Sequence, residues 1–166
     1  MPKEERAPQR ISATLALARP PKMENIWVQK ASGKRYETLT IPFFAYNLSR
    51  GDIVECRPDE DGIGLFVEKV LKKSGNRTVR VGFTGTGYLD HPEAVKLRNY
   101  LREHGLRYEI FKPALLAINV PSQADYDALV AQLNAVSKAA GMEWEDGDPQ
   151  PERNMDGSPM KRRRKM

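Results

Sequence analysis

With 166 residues the chain is long enough for one domain or two small ones, burying about 70% of the surface that its unfolded form exposes. A single cysteine, Cys56, excludes an intrachain disulfide and a cysteine-based zinc site, and it fits a reducing, cytoplasmic setting. The net charge of +5 invites a nucleic-acid reading, but five of the 27 basic residues are Lys161, Arg162, Arg163, Arg164 and Lys165, which leaves 22 basic against 22 acidic residues over positions 1 to 160.

Residues 1 to 10 are polar, with two prolines, and read as a flexible arm. ISATLALA (11 to 18) alternates as a first strand and stops at Pro20-Pro21; it is too short to span a membrane and lacks the cleavage context of a signal peptide. IWVQK (26 to 30) is a second strand, and Ala31 to Lys34 turn into a third, RYETLTI (35 to 41).

The stretch IPFFAYNLSRGDIVEC (41 to 56) then reads as a core hairpin. An apolar strand end runs into a polar reversal at Asn47 to Gly51, and a new alternating strand leaves at Asp52. IGLFVEKVL (63 to 71) and NRTVRVGF (76 to 83) follow around a Lys73-Ser74-Gly75-Asn76 turn. Six short strands joined only by turns predict a small closed or nearly closed barrel, because closure removes raw edges.

Beyond Gly82 the pattern changes. Asp90 and Glu93 form a capping box around Pro92, and Val95, Leu97, Tyr100, Leu101 and His104 recur at helical spacing until Gly105. LRYEIF (106 to 111) and ALLAINV (114 to 120) are strands. Ser122 and Asp125 cap a helix with a Tyr126, Leu129, Val130, Leu133, Val136 stripe, closed by Gly141, and MEWED (142 to 146) is a last strand.

The order is β-α-β-β-α-β, so the predicted fold is α+β: a small β-barrel-like region (11 to 83) packed against a ferredoxin-like region (76 to 146), the strand at 76 to 83 serving either or both. From Gly147 to Met166 three prolines, two glycines and no apolar period predict a disordered basic tail.

No constellation amounts to a catalytic signature, and no metal or cofactor is implied. Gly82, Gly85 and Gly87 stand where a phosphate-cradling loop would, yet their spacing matches neither the dinucleotide fingerprint nor the P-loop, so a plain connection is the simpler reading and anion binding the sharper one. An enzymatic reading would rest on that loop alone. His91 and His104 sit near opposite ends of one helix, too far apart to share a ligand. Cys56 reads as a small buried thiol. Asp59 to Gly62 lacks the ligand spacing of a calcium loop and reads as a solvated turn.

Tyr46, Asn47, Ser49 and Arg50 are polar or amphipathic groups on a loop carried by a rigid scaffold, where binding residues tend to lie. They are the candidate contacts for a protein partner. An RNA-binding sheet would need aromatic residues on its central strand, and ALLAINV has none, so Lys161 to Lys165 remain as the nucleic-acid candidates through phosphate attraction.

The blocks IPFFAYNLSRGDIVE, SGNRTVRV and LRYEIFKPALLAINVP resemble a bacterial family of small proteins catalogued as a domain of unknown function, over roughly residues 12 to 147. The resemblance implies a cytosolic protein, and by analogy with other small families it admits an immunity or antitoxin role. The expectation is a non-catalytic protein-binding module, with a nucleic-acid-associated protein using its basic tail as the alternative.

Overall fold

The computed structural model describes residues 9–84, 90–111, 114–136 and 141–161. Strands β1 (Arg10–Ala16), β2 (Met23–Ser32), β3 (Arg35–Thr38), β4 (Ile53–Pro58) and β5 (Leu65–Lys72) form a closed ring. Each strand is antiparallel to the one before it, and β5 returns parallel to β1 at Ala13↔Leu65 and Thr14↔Phe66. The period-2 alternation of β1 and β2 drives the closure. Ala13, Leu15, Ile26 and Val28 point inward and meet Val54, Cys56 and Val67 in one buried cluster.

A second, four-stranded antiparallel sheet runs in the order β7-β8-β6-β9, built from β6 (Arg77–Phe83), β7 (Tyr108–Phe111), β8 (Leu115–Val120) and β9 (Met142–Asp148). Helices α1 (Pro92–Glu103) and α2 (Gln123–Ala135) cover one of its faces. Val79, Val81, Phe83, Leu116, Ile118 and Val120 supply the sheet side of that core, and Ala94, Leu97, Leu101, Leu129 and Leu133 the helix side. Among the described residues no helix is long and apolar enough to cross a membrane.

Several expectations are corrected. The ring has five strands, because β6 pairs only with β8 and β9 and so belongs to the second sheet alone. The cap of α1 is His91, whose Nδ1 accepts from the Glu93 backbone N–H at 3.2 Å, in place of Asp90. Ser122 caps α2 as its sequence predicts, its Oγ accepting from the Asp125 N–H at 3.1 Å. Ile41 to Asn47 carry no strand. The chain leaves the ring after Thr38 and re-enters at Ile53, the base of this excursion being closed by the Thr38 N–H to Asp52 O (2.9 Å) and Gly51 N–H to Thr38 O (2.7 Å) bonds.

The segment from Gly147 was also expected to be disordered. Gly147 and Asp148 complete β9, and residues 149–161 pack against the excursion, with a bridge between Arg153 and Pro159. Composition misled here because the ordering groups are supplied from outside the segment, by Asn47 above all.

Candidate functional site

The excursion from Leu39 to Asp52 lies over the sheet face opposite the helices, and polar groups hold it there from both sides. On the ring side, the buried Glu24 carboxylate of β2 accepts the backbone N–H groups of Phe43 (2.7 Å), Phe44 (3.1 Å) and Ala45 (2.9 Å). Three donors on one carboxylate leave those amides no reason to seek a strand partner, which explains the lost strand end. On the sheet side, the Arg80 guanidinium, only 2% exposed, donates to Ala45 O (2.7 Å), Pro42 O (3.3 Å) and Glu145 Oε1 (3.1 Å). It also lies under the Tyr46 ring, 4.5 Å from the centroid.

Gly147 makes room for that guanidinium. A Cβ there would sit 2.8 Å from Arg80 Cζ, so only glycine lets the buried cation lie against β9.

Below this, Asp52 and Asp148 converge on Lys73, whose Nζ donates to one carboxylate oxygen of each and to Asn47 O at 3.1 Å. Asp52 also accepts from the backbone N–H groups of Ser49 (2.9 Å) and Ser74 (2.8 Å), while Ser49 Oγ donates to Asp148 (2.6 Å) beside Thr78 Oγ1 (2.8 Å). Both carboxylates are buried and Lys73 is half-exposed, so the cation closes the cluster from the solvent side.

The four loop residues singled out from sequence are thus parts of one internal seam. Tyr46 donates to both oxygens of Glu145 at 2.9 Å, and burial, followed by the bond to Glu145, raises its phenol above the ordinary value. Asn47, at φ +57°, uses its whole amide: Nδ2 donates to Gln150 O (3.0 Å) and Arg153 O (2.8 Å), and Oδ1 accepts from the Gln150 N–H (2.7 Å). Ser49 is buried in the carboxylate cluster. Arg50 donates from Nε to Leu39 O at 3.1 Å, and its carbonyl accepts from Ser74 Oγ and Asn76 Nδ2.

The other candidates lie apart from the seam. Gly82 sits in β6, and Gly85 and Gly87 fall outside the described residues. Lys161 is exposed; Arg162, Arg163, Arg164 and Lys165 fall outside the described residues too. Cys56 is buried in the ring and its thiol is pushed up to about 11, by burial first and by Glu68 second, which keeps it protonated and unreactive at neutral pH. His104 ends α1 with its ring stacked on Tyr100 at 4.1 Å. Asp59 accepts the Gly64 N–H within its turn, and among the described residues no group of three His, Cys, Asp or Glu side chains is placed to hold a metal ion.

The excursion covers only part of its sheet face. Where it stops, Phe43, Phe44 and Phe111 form an aromatic cluster, Phe44 meeting Phe111 edge-on at 5.1 Å and Phe43 meeting Phe111 at 5.4 Å. Beside it a cleft of about 330 Å³ is lined by Phe44, Gly82, Phe111, Ala114, Leu115 and Glu143. Phe111 is 45% exposed and Glu143 is exposed. Sequence reading missed this cleft because its two sides come from residues 44 and 111, which topology alone unites. The alternation of β6 and β9, which sends Gly82 and Glu143 to the face away from the helices, was the available signal.

A family model described as a domain of unknown function, DUF4265, matches residues 24–144. The chain belongs to this family. The matched span starts at Glu24, which anchors the excursion, and ends within β9, so the DUF4265 region takes in both sheets and most of the seam. A crystal structure of a hypothetical protein from Neisseria gonorrhoeae is similar to the DUF4265 chain, with a TM-score of 0.63 at 19% identity over 86% of this chain and 96% of that one. That likeness concerns the fold. No curated protein matches the sequence.

Proposed function

We propose that the chain is a non-catalytic protein-binding module, a small β-barrel-like half and a ferredoxin-like half locked together by the seam, with its binding surface at the uncovered end of the second sheet. The observation that supports this reading is the cleft beside the Phe43, Phe44 and Phe111 cluster, where half-exposed aromatic rings of the anchored excursion and of β7 meet an exposed carboxylate of β9. The seam residues Tyr46, Asn47, Ser49 and Arg50 act behind that surface, Tyr46, Asn47 and Ser49 through side chains bonded within the chain and Arg50 through its Nε and carbonyl.

The occupant that fits is a segment of a partner protein carrying an apolar side chain next to a lysine or arginine. The ring cluster takes the apolar group, and Glu143 faces the cation, Glu145 being already engaged by Arg80 and Tyr46. Neutralisation of a toxin is one form such binding would take, the immunity or antitoxin role.

Gly82 provides a clean test. A Cβ there meets nothing closer than Glu143 O at 4.0 Å, so Gly82→Leu is accommodated by the strand while its side chain fills the cleft. Photo-crosslinking from position 111 in cells, after nuclease treatment, is expected to yield a discrete protein adduct that Gly82→Leu and Glu143→Lys both abolish at unchanged melting temperature. Adducts that survive both substitutions would overturn the reading.

A further inference from the structure

The outer face of the ring is a different surface, apart from the cleft on the second sheet. Because Ala13, Leu15, Ile26, Val28 and Val67 face into the ring, their neighbours Ser12, Thr14, Asn25, Trp27 and Phe66 face out. The register sets Trp27 opposite Ser12 and Phe66 beside Thr14, so two aromatic rings flank β1 across a floor of small hydroxyl residues, about 10 Å apart in the direction across the strands. Trp27 is 51% exposed, and nothing in the ring's own packing requires an indole there.

Phe66 carries the half-exposed Arg57 guanidinium 4.6 Å above its ring centroid. A cation stacked on one face of an aromatic ring, next to a second exposed ring, is the combination that reads bases and phosphates together.

Charge selects among the ligands that aromatic rings attract. Three carboxylates on the ring's strands are engaged, Glu68 by Arg57 at 2.7 Å, Glu55 by Lys69 at 3.7 Å, and Glu37 by the Gln29 side-chain amide, while exposed Glu60 and Asp61 lie in the turn between β4 and β5. Exposed Arg10 shares the outer register of β1 with Ser12 and Thr14, and it joins Arg57 as a cation of this face. An uncharged sugar or an apolar peptide would gain nothing from these cations, whereas a polyanion with flat bases gains from both features.

We infer that the outer surface of β1, β2 and β5 binds single-stranded nucleic acid, stacking bases on Trp27 and Phe66 and holding phosphates with Arg57 and Arg10. Binding is tolerant of sequence, because every base offers a π-face, and weak on duplex, where the bases are already stacked.

The test uses the full chain and a fluorescently labelled twelve-residue oligothymidylate, read by anisotropy at low and at physiological salt. Trp27→Ala and Phe66→Ala, both on the outside of the ring, are each expected to weaken binding roughly tenfold, Trp27→Phe to restore most of the loss, and duplex to compete poorly. Glu68→Gln, which frees Arg57, is expected to tighten binding.

Removal of residues 161–166 separates the platform from the basic tail. If truncation abolishes binding while Trp27→Ala leaves it unchanged, the tail is the contact and the inference is overturned, as it also is by no binding at low salt. Gly82→Leu is expected to leave the oligonucleotide affinity intact, so this surface and the protein-binding cleft succeed or fail independently.

Discussion

The ring and the four-stranded sheet solve the same problem differently. The ring closes on itself, each strand having a neighbour on both sides, and its apolar side chains fill one interior together with Ala45 and Leu48 of the excursion. Its outer face is free to carry Trp27 and Phe66. The sheet is open, with helices on one face only, and its other face is partly covered by a loop borrowed from the ring. Leu39 to Asp52 serves both bodies, because Ala45 and Leu48 are buried in the ring's interior while the backbone around them accepts from Arg80 of the sheet. That double service makes the seam the place where the two bodies are bound into one folding unit.

Removing a seam carboxylate tests this most severely. Asp52→Ala leaves two backbone N–H groups unpartnered and Lys73 with Asp148 and the Asn47 carbonyl, and is expected to cost about 4 kcal/mol in denaturant unfolding. The informative part is the shape of the curve. If the sheet leans on the loop more than the ring does, Trp144 fluorescence in a Trp27→Phe chain is lost at a lower denaturant concentration than Trp27 fluorescence in a Trp144→Phe chain; one coincident transition would mean that the ring fails with it.

Glu24→Ala should act from the ring side. It strips the acceptor from three consecutive amides, and the expected cost is about 3 kcal/mol, felt by the sheet as well as by the ring to which Glu24 belongs. A loss confined to the ring would break the comparison. Gly147→Ala follows at about 2 kcal/mol, since its methyl group would meet the buried Arg80 guanidinium at 2.8 Å and Arg80 is tethered on three sides. Arg80→Lys combined with Gly147→Ala is expected to recover part of that loss, a coupling that a double-mutant cycle measures.

The ring and the elements of the second sheet were legible because hydrophobic period reports which side of a strand or helix is dry. Ile26 to Lys30, within β2, and the stripe of Tyr126, Leu129, Val130 and Leu133, within α2, announce themselves that way. The seam was not legible. Glu24 reads as an ordinary surface glutamate until the chain brings Phe43 to Ala45 onto it, and Gly147 reads as the start of a tail until Arg80, 67 positions earlier, is laid beneath it. Buried polar pairs at long sequence separation leave no period in the sequence. The same holds for the cleft of Phe44, Phe111 and Gly82, while Tyr46 to Arg50 drew notice for a real reason, their polarity on a loop, and spend it inside the molecule.

The smallest effect concerns the free edge of the open sheet. Glu109 on β7 is half-buried and its carboxyl is raised above the ordinary value, by burial first, against the opposing pull of the Ile41 backbone, Arg107 and Arg50. The folded chain therefore holds this proton more tightly than the unfolded one, and stability falls as pH rises from the ordinary carboxylate range through the raised value. Above that interval the whole penalty is present. Glu109→Gln keeps an oxygen for the Ile41 bond and removes the charge, so it is expected to stabilise the protein slightly at pH 7 and to flatten the melting temperature across the interval. An unaltered slope would place the titration elsewhere, and a destabilised variant would mean that Arg50 and Arg107 hold the carboxylate well enough to make its charge part of the seam.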